Sequence, residues 1–408
     1  MPAIRQHRGV VVATLGTAQT LAWASSYYLV AMLAAPMARE FDLGTPSVYA
    51  AFSLALVVSA GVGPSAGRLI DRLGGRPVLM ATNGLFALGL VALGLAQGPW
   101  SLFAAWALLG VAMGSGLYES AFAALVRLYG QGARNPITGI TLIAGFASTV
   151  GWPLTAWFEA RYGWRGACMA WAGLHLLVGL PLNAWLPASA DAAPGQAAAG
   201  PAPAAAAEAP SALPYPGRTA ALLAFVFAAT WFVSTAMATH LPVLMQAAGT
   251  SLAVAVGVGA LIGPAQVAGR LLEFGFLRRV HPLLSARLAA VLHPLGAAAL
   301  LLAGPAVAPL FAVMHGAGNG MMTIAKGTLP LVLFGAAGYG ARQGWMMMPA
   351  RVAQAAAPFL FGLVLAHGPG LALGLTACLG AASTVALFVL RARPPLAGAV
   401  RSTPSPTR

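Results

Sequence analysis

The stretch Gly67-Arg68-Leu69-Ile70-Asp71-Arg72-Leu73-Gly74-Gly75-Arg76 decides how this chain is read. It crowds three arginines, one acid and three glycines into ten positions, in a chain whose charged content is only 7%. On both sides the sequence turns apolar, over residues 47–67 and 78–96. Runs of about 20 apolar residues read as membrane-spanning helices. The stretch is therefore a short charged loop between two spans. Gly67 and Gly74 allow close packing and a tight turn. Asp71 can accept from a helix N-terminus, or pair with an arginine across an interface between helix bundles. A latch of that kind holds one conformation until a ligand shifts the balance. The plainer reading leaves Arg68, Arg72 and Arg76 as topology charges alone. An acid inside an arginine run is not needed for topology, which favours the latch.

The same pattern continues along the 408 residues. The chain is 59% hydrophobic, whereas a soluble chain carries about 25% charged residues. Twelve spans are expected, at 10–35, 47–67, 78–96, 100–128, 137–159, 165–186, 219–245, 251–272, 283–303, 306–333, 344–366 and 370–391. The Ala/Pro-rich stretch 187–217 lacks the bulky apolar content to fold and reads as a flexible linker. It separates an N-terminal six-helix bundle, 1–186, from a C-terminal one, 218–393, with a disordered tail at 394–408. The fold class is all-α polytopic membrane protein. Alternating strands of about ten residues, the mark of a transmembrane β-barrel, are absent.

The net charge of +14 does not mark a nucleic-acid binder. With both termini inside, 17 arginines fall on the cytoplasmic side and three (Arg39, Arg161, Arg165) outside. That asymmetry is the positive-inside pattern. The basic start, with Arg5, His7 and Arg8, has no small-residue cleavage site after it and reads as a retained span. Cys168 and Cys378 lie in apolar stretches and read as small apolar side chains. One Lys against 21 Arg, with heavy Ala and Gly use, points to a bacterium with GC-rich coding, hence an inner membrane. Internal repeats support two related halves. Gly67-Arg68-Leu69 recurs as Gly269-Arg270-Leu271, Gly114-Ser115-Gly116 as Gly318-Asn319-Gly320, and Trp23 with Ser26 as Trp231 with Ser234. Parallel repeats of this kind are a transporter architecture.

The 67–76 loop resembles the G-x-x-x-D-R-x-G-R/G-R/K loop between spans two and three of the major facilitator superfamily. A degraded copy follows in Gly269, Arg270, Glu273, Arg278 and Arg279. The resemblance implies two six-helix bundles around a central cavity, a cytoplasmic loop, and a latch built from Gly67, Asp71, Arg72, Gly74, Arg76 and Glu273. Two motifs of the family's drug–proton antiporters are missing. Trp106 and Ala107 stand where an Arg precedes the Gly-rich part of span four, and span five has Gly145, Gly151 and Pro153 but no Gly-Pro-x-x-Gly run. Residues 134–145 resemble the start of span five in monocarboxylate-porter-like members, whose acidic-Gly-Trp entry to span one is missing here.

In that fold spans one, four, seven and ten line the cavity. Here they carry Trp23, Ser26 and Tyr27; Tyr118 and Glu119; Trp231, Ser234 and His240; and His315, Asn319 and Lys326. A charge at mid-bilayer costs at least ~2.5–3.5 kcal/mol, so Glu119 and Lys326 need a partner or water. Their equivalent depths suggest that they face each other. Lys326 then binds an anion and Glu119 carries a proton, unless the two form a merely structural salt bridge. Arg351 adds a second cationic contact, or sits at the cytoplasmic mouth as a topology charge. His240 and His315 relay protons or pack by hydrogen bonds. Trp23 and Trp231 stack on substrate or on the core. Met346 to Met348 cannot converge on one ligand and read as filler.

No phosphate-binding loop, metal-spaced Cys/His cluster or soluble catalytic constellation occurs, so no cofactor, metal or enzyme activity is expected. The expected function is proton-coupled secondary transport of a small organic anion, such as a monocarboxylate, by a monomer in the lipid bilayer. An exporter of drugs or toxic metalloids, and a transporter-like sensor or scaffold, are the alternatives.

Overall fold

A computed structural model describes residues 7–188 and 217–390. The expected linker, 187–217, and tail, 394–408, fall almost wholly or wholly outside them. Among the described residues there are helices and turns and no strands. The helices are α1 (Arg8–Ala24), α2 (Leu29–Glu40), α3 (Thr45–Leu73), α4 (Gly75–Gly94), α5 (Pro99–Gly116), α6 (Tyr118–Tyr129), α7 (Arg134–Ala144), α8 (Ala147–Leu174), α9 (Leu180–Ala184), α10 (Gly217–Ala247), α11 (Leu252–Gly275), α12 (Pro282–Ala303), α13 (Ala308–Phe334), α14 (Tyr339–Leu365) and α15 (Pro369–Val389).

Among the described residues eight helical stretches are long and apolar enough to cross a membrane, one of them running through several helices from Pro99 to Ala184. Their outer faces are greasy. Trp100, Leu177, Phe359 and Leu302 are all more than two-thirds exposed, an arrangement that suits lipid and not water. Buried positions hold Ala and Gly, which let backbones approach. Turns between rods are tight. Gly74, with φ 87°, joins α3 to α4 in a single residue, and Gly163, with φ 70°, bends the long α8.

Several rods are broken at mid-length. Between α1 and α2 the turn Ser25–Tyr28 has hydroxyls that bond back to the helix, Ser25 to Leu21 O at 2.8 Å and Ser26 to Ala22 O at 2.6 Å. Hydroxyls that compete for backbone in this way weaken a helix. Between α5 and α6 the break is at Leu117, and Gln19 Nε2 from α1 donates to the Gly116 carbonyl at 2.7 Å. Irregular backbone at membrane depth survives only where protein or a cavity satisfies it. A π-turn at His175–Gly179 lies beside these breaks. There His175 bonds Ser25 at 2.7 Å and Asn83 at 3.0 Å, tying α1, α4 and the π-turn together.

Candidate functional site

The charged loop was expected to work as a latch, and its acid spans the two groups of helices. Asp71, near the end of α3, accepts from the backbone N–H groups of Gly340 at 3.0 Å and Ala341 at 2.9 Å. Those are unsatisfied donors in the first turn of α14, where a carboxylate is favoured. The approach requires glycines. A Cβ on Gly67 would lie 2.0 Å from Gly340 O, and one on Gly344 would lie 2.5 Å from the Pro64 backbone. Arg72 is exposed and Arg76 half-buried.

Glu273 in α11 makes the companion contact. It accepts from Arg134 Nη2 at 3.0 Å, while the same guanidinium donates to Leu277 O at 3.1 Å and Val280 O at 2.7 Å. The Arg270 guanidinium lies against Gly145. At this end of the molecule the N-terminal helices α1–α9 and the C-terminal helices α10–α15 are held shut.

The break before α6 places Glu119 in the first turn of a new helix, deep in the protein. Arg351 lies twelve residues into α14, about 18 Å from its start at 1.5 Å per residue. The two form an ion pair, with Arg351 Nη2 at 2.9 and 3.1 Å from the carboxylate oxygens and Nη1 at 3.0 Å from Gln354 Oε1. Arg351 is 4% exposed, so it is no charge at the mouth.

The expected Glu119–Lys326 pairing is therefore corrected. Among the described residues no carboxylate lies within 4.0 Å of Lys326. Its Nζ rests instead 4.1 Å from the Trp231 ring centroid. The reason is geometric: α14 brings Arg351 to the depth of Glu119, where Nη2 reaches both carboxylate oxygens and Nη1 is left to hold Gln354.

Aromatic rings enclose the cations. Trp23 and Trp231 run nearly parallel, at 10° with centroids 6.4 Å apart. Arg351 lies 5.9 Å from the first ring and 5.3 Å from the second. Tyr118 and Tyr27 flank Trp23 at 4.9 and 5.3 Å. The indole N–H groups of Trp23 and Trp231 and the Gln354 amide are buried donors with no partner in the protein. The centre thus carries two cations against one carboxylate and a surplus of donors. It is chemically fit to receive an acceptor-rich anion.

The other expected residues scatter. Ser26 is fully buried, and its hydroxyl donates back to Ala22 O at the end of α1. Asn319 donates to Ser234 at 3.0 Å, joining α13 to α10. His240 meets the Pro358 carbonyl at 2.8 Å and packs on Phe361, between α10 and α14. His315 pairs with His293, Nδ1 to Nδ1 at 3.0 Å. Sequence reading passed over His293, Gln354 and Gly340. A histidine inside a span whose only charge is Arg287 was a readable signal; Gln354 and Gly340 carried none.

A family model described as Major Facilitator Superfamily matches residues 15–325. The chain belongs to that superfamily. This member is a multi-pass membrane protein, and its curated relatives are similar to it over limited stretches. Over 138 residues it is 33% identical to the multidrug resistance protein MdtH of Sodalis glossinidius (strain morsitans), covering 33% of each chain. Over 153 residues it is 34% identical to an uncharacterized 38 kDa protein of Thermoproteus tenax, covering 37% of this chain and 40% of that one. The superfamily member thus spans only a third or so of the length of the curated relatives it matches. Solved structures match throughout. The proton:xylose symporter XylE gives a TM-score of 0.72 at 14% identity, over 95% of this chain and 96% of that one. The human organic anion transporter MFSD10 gives 0.68 at 17% identity, over 94% and 99%. At such identities they speak for the fold.

Proposed function

We propose that this protein is a secondary transporter of alternating access, moving a small organic anion, such as a monocarboxylate, together with protons. Twelve crossings in two six-helix bundles, a monomer, and both termini cytoplasmic in a bacterial inner membrane complete the reading. Its alternating-access step is one bundle rocking against the other around a central site. The Asp71 and Glu273 contacts then belong to a state closed toward the cytoplasm.

One observation carries the substrate class: among the described residues Lys326 is buried with no carboxylate within 4.0 Å, close to an Arg351 that is ringed by the unpartnered indole N–H groups of Trp23 and Trp231 and the free Nε2 of Gln354. An entering carboxylate occupies Lys326 and competes with Glu119 for Arg351. Glu119, released from its cation in a desolvated site, is then best stabilised by taking a proton. Anion and proton are thereby coupled through one guanidinium.

Lys326→Gln in proteoliposomes is expected to lower carboxylate uptake about 10- to 100-fold, the worth of one charge-assisted hydrogen bond. Uptake at the wild-type rate removes Lys326 from the site. Glu119→Gln is expected to leave anion exchange partly intact while flattening its pH dependence; an unchanged pH profile takes the proton away from Glu119.

A second reading rests on the relatives named multidrug resistance protein. On that reading the chain exports drugs or metalloids by proton antiport, with Glu119 as the proton site. Proton movement driven by cationic dyes or arsenite, and not by carboxylates, selects it.

A further inference from the structure

The His293–His315 pair lies outside the central site. Each imidazole is more than nine-tenths buried, and their Nδ1 atoms are 3.0 Å apart. At that distance one ring donates and the other accepts, so their tautomers are linked. His293 Nε2 makes no hydrogen bond in the protein. Beside the pair is a cavity of about 40 Å³, lined by Thr230 of α10, His293 of α12, His315, Asn319 and Met322 of α13, and Ser383 of α15. A water needs ~10–15 Å³ of such space and two or more polar partners, so about three waters fit.

No Asp, Glu, Lys or Arg lines this chamber. Of the helices around it, α15 contributes the hydroxyl of Ser383 and α10 that of Thr230. The two imidazoles are its titratable groups. The chamber shares helix α13 with the central site. Asn319, in its wall, holds Ser234 of α10. His315, Asn319, Met322 and Lys326 are spaced i, i+4, i+7 and i+11, which puts them on one face of α13.

We infer that His293, His315 and the hydrated chamber form a proton relay that serves the central site. This rests on the proton-coupled reading above. The transfer balances within the pair. A proton arrives on the free Nε2 of the ring that carries Nδ1–H. The shared Nδ1–H proton crosses to the second ring, and that ring releases its own Nε2–H to chamber water. One proton enters, one leaves, and the tautomers have exchanged. Return of the rings to their first tautomers resets the relay. Neutral imidazoles suit this role because neither must keep a charge in the bilayer.

The test uses full-length protein in proteoliposomes with an internal pH dye, and acetate, lactate, pyruvate and benzoate as probes. Anion counterflow, which needs no net proton movement, reports an intact site. His293→Gln and His315→Gln are expected to slow carboxylate-driven proton influx at least about tenfold, in line with a lost acid–base group, with counterflow within about twofold. Ser383→Leu, which fills the chamber and spares both rings, should do the same. Wild-type proton influx in the glutamine variants overturns the relay. Equal loss of influx and counterflow also overturns it, because the pair is then structural. If no carboxylate moves protons even in the wild type, the transport reading fails first and the relay with it.

Discussion

Arg351→Met is expected to abolish transport and to destabilise the folded protein by about 3–5 kcal/mol, the cost of stranding one partner of a buried ion pair. Arg351 is 4% exposed and holds both oxygens of Glu119. Methionine fills much of its volume, so the loss falls on charge and hydrogen bonding. The stranded Glu119 has few other ways to be satisfied at that depth. A thermal melt of purified protein in detergent reads the stability, and proteoliposome uptake reads the function.

The double variant Glu119→Gln/Arg351→Met separates the two roles. Removing both charges takes away the stranded carboxylate, and a pair replaced by neutral groups is often neutral or better in stability. The double variant should therefore melt near the wild-type temperature while remaining inactive. Recovery of both stability and transport makes the pair a structural tie between helices, and the anion site loses one of its two cations.

The outcome at this pair also shows what the sequence could carry. The charged stretch was legible as a contact and not as a loop: residues 67–73 finish α3 and Gly74 alone is the turn, yet Gly67, Asp71 and Gly74 sit within eight residues and their spacing calls for close packing and a capped helix. The membrane fold was legible because lipid removes almost every alternative to apolar helices. The central site was legible as a set of residues and not as a set of contacts. Glu119, Lys326, Trp23, Trp231 and Arg351 do gather, but which cation meets the acid depends on how far α14 slides along α6. Nothing in a single chain records that register. Nor did sequence separate His240, spent on the Pro358 carbonyl, from His315, which faces a chamber.

The smallest substitution has the second large effect. Gly67→Ala is expected to abolish transport while the protein is still made and inserted. The added carbon would lie 2.0 Å from the carbonyl oxygen of Gly340 and 2.2 Å from its carbon. Both belong to backbone in a helix, so no side chain can swing aside. The start of α14 must then move away from α3, and Asp71 loses its two N–H donors there. Each hydrogen bond to a charged group contributes ~1.5–3 kcal/mol, so losing both shifts the closed–open balance more than about 100-fold. The helices themselves stay intact, because the contact lies between them. Spin labels at Leu73 and Ala337, both exposed near the contact, report the change in a background with Cys168 and Cys378 replaced. The wild type should give a population at short distance, and Gly67→Ala should move it outward. Asp71→Asn keeps the shape and removes the charge, so it should move less of the population. An unchanged distance with normal transport in Gly67→Ala means that the close approach of Gly67 and Gly340 is no part of the transport cycle.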